Sequence, residues 1–257
     1  MRELVYRDLL DQADRGYAVV GLGQPDGFQP CQCEPCRNLY GTGDDWGEKI
    51  WVFHRSLAER FAKERPDRKV MIIAYGQTWE APKTFREFPA NTVVQLCRTT
   101  PEVMAGWKAC AVPGGFTAYT YTFLGGYTPT QTPLAVADLA KHLFDLKVGG
   151  VFCDGFYGNY GLMGPVFYVY GRMFDDPASL NAGELLEEFY DAAFREAATP
   201  MRRFFDTLYH AVEFSVRFPK PYDDVYGRRR TYEAIGPMQR LTFLFSPELL
   251  QDLETSL

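Results

Sequence analysis

The stretch "PLAVADLAKHLFDLKVGGVFCDG" (133–155) most constrains what this chain can fold into. Pro133 suits a first helical position, because its locked φ is helical and its missing N–H would have no partner there anyway. Leu134, Ala137, Leu139, Ala140, Leu143 and Leu146 supply one apolar helical face over 133–148. "GGVFCDG" (149–155) follows at once, and a helix, a tight glycine turn and a buried strand in that order are the grammar of a parallel sheet. An α/β protein is therefore expected.

Four further apolar runs of strand length precede it: "GYAVVGLG" (16–23), "KVMIIAYG" (69–76), "TVVQLCR" (92–98) and "FTAYTYTF" (116–123). About five parallel strands result. Trp46, Ile50, Phe53, Leu57 and Phe61 step by helical intervals, with Glu48, Arg55, Glu59, Arg60 and Lys63 on other faces, so an amphipathic helix is predicted that ends before Pro66. From about 165 the strand signals vanish. Helices are predicted near 165–175, 182–197 and 200–216, the last two from the Leu185–Phe189 and Met201–Phe204–Leu208–Val212 spacings. "DDPASLNAGE" (175–184) offers turns and a Ser or Asn cap. The tail is polar from 219 and apolar again at "LTFLF" (241–245). The chain should divide into a sheet-bearing part, 1–160, and a helical region, 161–257, packed on it.

Charge narrows the function classes. With 27 basic and 33 acidic residues the net charge is −6, and no long single-sign run provides a footprint for nucleic acid. The arginines at 228–230 read as a solvated surface. No stretch reaches the roughly 18 apolar residues of a membrane span, and "MRELVYRDLLDQADRGYAVV" has charges scattered through it, so it is neither a signal peptide nor an anchor. Six cysteines in 257 residues are too few for a disulfide scaffold, which makes a reducing compartment, the cytoplasm, the default. Aromatic residues reach 16%, with sixteen tyrosines and four tryptophans, which suits either an aromatic core or a cleft whose rings cover the C–H faces of sugars.

In parallel α/β folds chemistry gathers at the carboxyl ends of the strands. Asp26 follows the first strand, Trp79 and Glu80 follow the second, near whose end Tyr75 lies, Arg98 ends the third, Tyr127 follows the fourth, and Asp154, Tyr157, Asn159 and Tyr160 follow the fifth. Three carboxylates, an arginine and several aromatics suit glycosidic bond cleavage. That reaction needs a carboxylic acid for the leaving oxygen and a second carboxylate about 5–5.5 Å away as nucleophile, or about 6.5–9.5 Å away as base for water. Asp154 or Glu80 would be the acid and Asp26 the base or nucleophile, with Trp79, Tyr75 and Tyr157 stacking the sugar and Asn159 binding it. The competing reading is that Asp26 and Asp154, each before a glycine, simply make turns. The chain would then be a non-catalytic carbohydrate-binding or structural module.

"PCQCEPC" (30–36) concentrates half of the cysteines in one loop. Cys31, Cys33 and Cys36, with a fourth ligand from Cys97, Cys153 or His54, could hold a structural zinc, since thiolates bind it well. Three free thiols, or a Cys31–Cys36 disulfide, are the alternatives. No histidine lies near enough in sequence to activate a thiolate for catalysis. The chain has no G-x-S-x-G, no phosphate loop and no complete G-x-G-x-x-G, so serine hydrolase and nucleotide chemistry are set aside.

The segments "GLGQPDGFQPCQCEPCRNL", "ERPDRKVMIIAYGQTWEAPKTF", "NTVVQLCR" and "GGVFCDGFYGNYGLMGPVFYVYGRMFDDP" together resemble a bacterial family of uncharacterised proteins, across residues 17 to 215. Its most specific part is a D-G followed by C-x-C-x-x-C. That family is similar to the α-glucuronidase and β-hexosaminidase group of glycoside hydrolases. The resemblance implies a TIM-type (β/α) barrel with a helical C-terminal region, a uronic acid or amino sugar substrate, and Asp26, Glu80 and Asp154 at matching strand ends. Arg98 would then pair with a uronate carboxylate. Related sequences tend to carry a Glu where this chain has Asp154. Five strands also fall short of the eight that close such a barrel. The expectation is therefore an incomplete barrel belonging to a longer protein, with strand edges that favour self-association.

Overall fold

The computed structural model describes residues 1–123, 131–155, 160–217, 222–223, 229–230 and 245–256. Five strands, β1 (Val19–Leu22), β2 (Lys69–Ala74), β3 (Thr92–Leu96), β4 (Phe116–Thr120) and β5 (Val148–Cys153), form one parallel sheet in the order β1-β2-β3-β4-β5. The strand count and the parallel α/β class match the sequence reading. The sheet is open rather than closed into a barrel. β3 is buried at every position, as a central parallel strand covered on both faces must be. Register places Leu22 opposite Ile72 and Ile72 opposite Val94, a row of fully or almost fully buried side chains crossing three strands. Each contributes roughly 1.5–3 kcal/mol by leaving water.

β1 lies at the edge and alternates exposed with buried residues. Its outer side is met by α1 (Arg2–Asp14), whose Gln12 side chain acts as a substitute strand: Gly21 N–H donates to Gln12 Oε1 at 2.8 Å, and Gln12 Nε2 donates to Gly21 O at 3.3 Å. Strand edges template association through unpaired backbone groups, and at Gly21 those groups are already paired. α1 itself has Tyr6, Leu9 and Ala13 as its buried face.

Between β1 and β2 lie a short helix, α2 (Glu34–Asn38), and the long α3 (Trp46–Glu64). Asp45 caps α3 by accepting from Glu48 N–H at 3.0 Å. The buried face of α3 is rotated from the expected one. Trp51, His54 and Ala58 join Ile50, Leu57 and Phe61 in the core, whereas Trp46 and Phe53 are half-buried. Glu48, expected on a polar face, is buried at 4% exposure, and its neighbour Lys49 at 3%. Trp51 meets Trp107 edge-on at 5.4 Å and Phe88 at 5.7 Å. α4 (Pro101–Trp107) follows β3 and contributes that second tryptophan.

Two compact units divide the chain: residues 1–120 with 147–152, and residues 121–146 with 153–257. The second unit contains α5 (Pro133–Asp145), α6 (Tyr160–Asp175), α7 (Ala182–Phe194), α8 (Ala198–Arg217) and α9 (Pro247–Ser256). Its core joins Val136, Val166, Val169, Met173, Leu185, Tyr190, Phe205 and Leu208. Asn181 caps α7, accepting from Gly183 N–H at 2.8 Å and Glu184 N–H at 3.3 Å, so of the two expected caps the asparagine is used. Tyr222–Asp223 and Arg229–Arg230 form a two-residue antiparallel pair. No helix among the described residues is long and apolar enough to cross a membrane.

Candidate functional site

The loop after β2 is fixed by its backbone before any side chain acts. Gly76 takes a left-handed φ of +55° and starts a tight 3-10 turn over Gly76–Thr78, a conformation that costs glycine nothing sterically. Tyr75 N–H donates to Thr78 Oγ1 at 3.0 Å. Gln24, two residues beyond β1, donates its Nε2 to Tyr75 O and, at 3.0 Å, to Thr78 Oγ1. Two buried indoles hold the next two carbonyls: Trp107 Nε1 donates to Trp79 O at 3.3 Å, and Trp51 Nε1 to Glu80 O at 2.9 Å. The buried Glu48 carboxylate accepts from Lys83 N–H, from Thr84 N–H at 2.9 Å and from the Thr84 hydroxyl. A buried carboxylate is tolerated only with such a full set of donors.

Four of the predicted residues meet on this frame. The Asp26 carboxylate stands beside the Tyr75 hydroxyl, and its hydrogen-bonding pull, reinforced by its negative charge, holds the Tyr75 phenol above its ordinary value. Tyr75 and Trp79 meet edge-on, with centroids 6.4 Å apart and planes at 81°. Arg98 lays its guanidinium over the Trp79 ring at 3.9 Å. Asp26, Tyr75, Trp79 and Arg98 thus form a continuous chain of contacts across the carboxyl ends of β1, β2 and β3. The arginine covers one face of Trp79, so that face is closed to a stacked ring.

Glu80 does not join this chain of contacts. It is exposed, and its charge is felt by Lys83, which is held above the ordinary lysine value chiefly by its 2.7 Å bond to Asp45. Asp154 directly follows β5 and is half-buried; its backbone carbonyl lies 3.7 Å from Cys153 Sγ. Tyr157, Asn159 and Tyr127 lie outside the described residues. Sequence reasoning missed Gln24, Glu48 and Thr78. Only Glu48 left a signal, as the acidic residue three positions after the Asp45 cap, and its side chain reaches Thr84 rather than the cap.

The cysteine loop is a compact thiol cluster. The sulfur atoms of Cys31, Cys33 and Cys36 all lie within 4.8 Å of one another, with Cys31 and Cys33 at 3.3 Å. All three are thiols, so the Cys31–Cys36 disulfide is not formed. Among the described residues no fourth ligand joins them: Cys97 and Cys153 stand outside the cluster, and His54 is buried in the α3 core, where desolvation pushes its pKa down to about 4. Cys33 is held below the ordinary thiol value, first by the Cys36 backbone N–H, while bonds with Cys33 and Cys31 push Cys36 up to about 11. Beneath the loop, Lys49 Nζ donates to Cys36 O at 2.8 Å, Arg37 O at 2.7 Å and Gly43 O at 2.9 Å, using all three of its protons. Such a cluster could hold a metal ion.

The fold and the site together define a parallel α/β protein whose first three strands carry a carboxylate, two aromatic rings and a guanidinium to their carboxyl ends. The chain belongs to the family DUF4838, a domain of unknown function, whose family model matches residues 2–206. That match bears out the resemblance carried by the D-G…C-x-C-x-x-C segment. No curated protein matches the chain.

Proposed function

We propose that the carboxyl ends of β1, β2 and β3 bind an acidic carbohydrate and that the protein acts there as a glycoside hydrolase. The contact chain Asp26–Tyr75–Trp79–Arg98 carries this reading. A carboxylate oriented by a phenol can act as base or nucleophile at an anomeric carbon. An indole offers the apolar surface that a sugar ring covers. An exposed guanidinium presents the fork that matches a uronate carboxylate. The sequential strand order, without the reversal of a doubly wound sheet, supports reading the sheet as an arc of a (β/α) barrel, where such residues line the reacting end.

The partner acid is sought in Glu80 and Asp154, each tested separately. The exposed position of Glu80 beside Lys83 favours a second reading, in which the site binds sugar without cleaving it. Hydrolysis of a panel of aryl glycosides and glycosiduronates by the wild type, Asp26→Asn, Glu80→Gln and Asp154→Asn decides between them. Activity lost in Asp26→Asn and in one of the other two supports the hydrolase. Saturable sugar binding without turnover supports the binding module, and neither binding nor turnover refutes both.

A further inference from the structure

We propose that Cys31, Cys33 and Cys36 bind a single zinc ion through three thiolates, with water as the fourth ligand. The inference stands apart from the carbohydrate reading.

Geometry supplies the first argument. Zinc lies about 2.3 Å from each thiolate, so three sulfurs on a tetrahedron stand about 3.8 Å apart. The three sulfurs here fall within 4.8 Å of one another, with Cys31 and Cys33 at 3.3 Å, so side-chain rotation alone can seat the ion. Thiolate-only donors select soft or borderline cations and reject magnesium and calcium.

The second argument is rigidity. Lys49 anchors the backbone of the ligand Cys36 and of Arg37 and Gly43 from below, and it is itself almost wholly buried. Phe28, three residues before Cys31, packs against Trp46 at 6.1 Å and steadies the other end of the loop.

The third argument fixes the ligand count. Every cysteine and histidine of the chain lies among the described residues, and none beyond the three joins the cluster. Cys31 and Cys33 are exposed, so the ion's remaining side faces solvent. A zinc site with three protein ligands keeps its fourth position for water or an exchangeable molecule. An ion here would close the span from Cys31 to Cys36, which begins five residues after Asp26.

The test uses the full chain, reduced and freed of metal with a chelator, then titrated with cobalt(II) chloride. The expected result is thiolate-to-cobalt absorption that saturates at one ion per chain, is displaced by zinc chloride, and changes in its visible bands when imidazole replaces the water. Cys36→Ser should abolish the saturation. Should that variant fail to fold, alkylation of the wild type decides: zinc should slow iodoacetamide at Cys31, Cys33 and Cys36 by at least about tenfold and leave Cys97, Cys110 and Cys153 unchanged. Absence of thiolate absorption, indifference of the bands to imidazole, or equal alkylation with and without zinc would overturn the proposal.

Discussion

The carboxylate of Asp26 stands beside the hydroxyl of Tyr75, linking the residues that follow two neighbouring strands. A phenolate beside a carboxylate is repelled, so Tyr75 ionises above the ordinary phenol range. Asp26→Asn should bring its titration back toward about 10, the value of a free tyrosine. The raised folded pKa also sets a sign. The pairing favours the folded state fully below the unfolded tyrosine pKa, and that contribution fades as pH rises through the folded one. Ultraviolet titration of wild type and variant reads the shift, and identical curves would remove the pairing from the account.

Lys49 is the strongest single anchor of the cysteine loop. Lys49→Met leaves three part-buried carbonyls without their donor, and hydrogen bonds to a charged group contribute about 1.5–3 kcal/mol each before the loop relaxes. A loss of about 3 kcal/mol in denaturant unfolding is expected, with faster proteolysis between residues 30 and 43.

Glu48 should behave in the same way for the loop after β2. Glu48→Ala removes the acceptor for Lys83 N–H, Thr84 N–H and the Thr84 hydroxyl, and a cost of about 3 kcal/mol is expected, with Glu48→Gln recovering part of it. Because that loop carries Trp79, the alanine variant should also weaken sugar binding.

His54 supplies an acid-labile term that the site does not use. Burial lowers its pKa to about 4, against about 6.5 in an unfolded chain. A depressed base favours the folded state above the unfolded pKa, and the contribution is lost as pH falls from about 6.5 to about 4, up to about 3 kcal/mol in all. His54→Phe should flatten that part of the stability curve, as followed by denaturant unfolding at several pH values.

The sheet was legible because its strands are continuous apolar runs; "TVVQL" is buried at every position and reads that way. α1 was not, since Tyr6, Leu9 and Ala13 are diluted by charged neighbours, and α4 is too short to show a period. Asp26, Tyr75, Trp79 and Arg98 followed from the rule that parallel sheets work at their carboxyl ends. Glu80 followed from the same rule and departs from it, because the loop has turned by residue 80 and the Trp51 indole pins its carbonyl. Glu48 reads as part of a solvated face because its partners, Thr84 among them, are set by folding rather than by helical spacing, and the same holds for the Lys49 bond to Gly43, which no sequence pattern announces.

The most direct test of the central claim follows the four tryptophan indole N–H signals by NMR while methyl glucuronide is added. Trp51 and Trp107 are buried donors to backbone carbonyls and serve as internal references. The account predicts a saturable shift of the Trp79 signal that Arg98→Ala weakens, with the Trp51 and Trp107 signals unmoved. A Trp79 signal that stays in place at saturating sugar, or a shift confined to other residues, would contradict it.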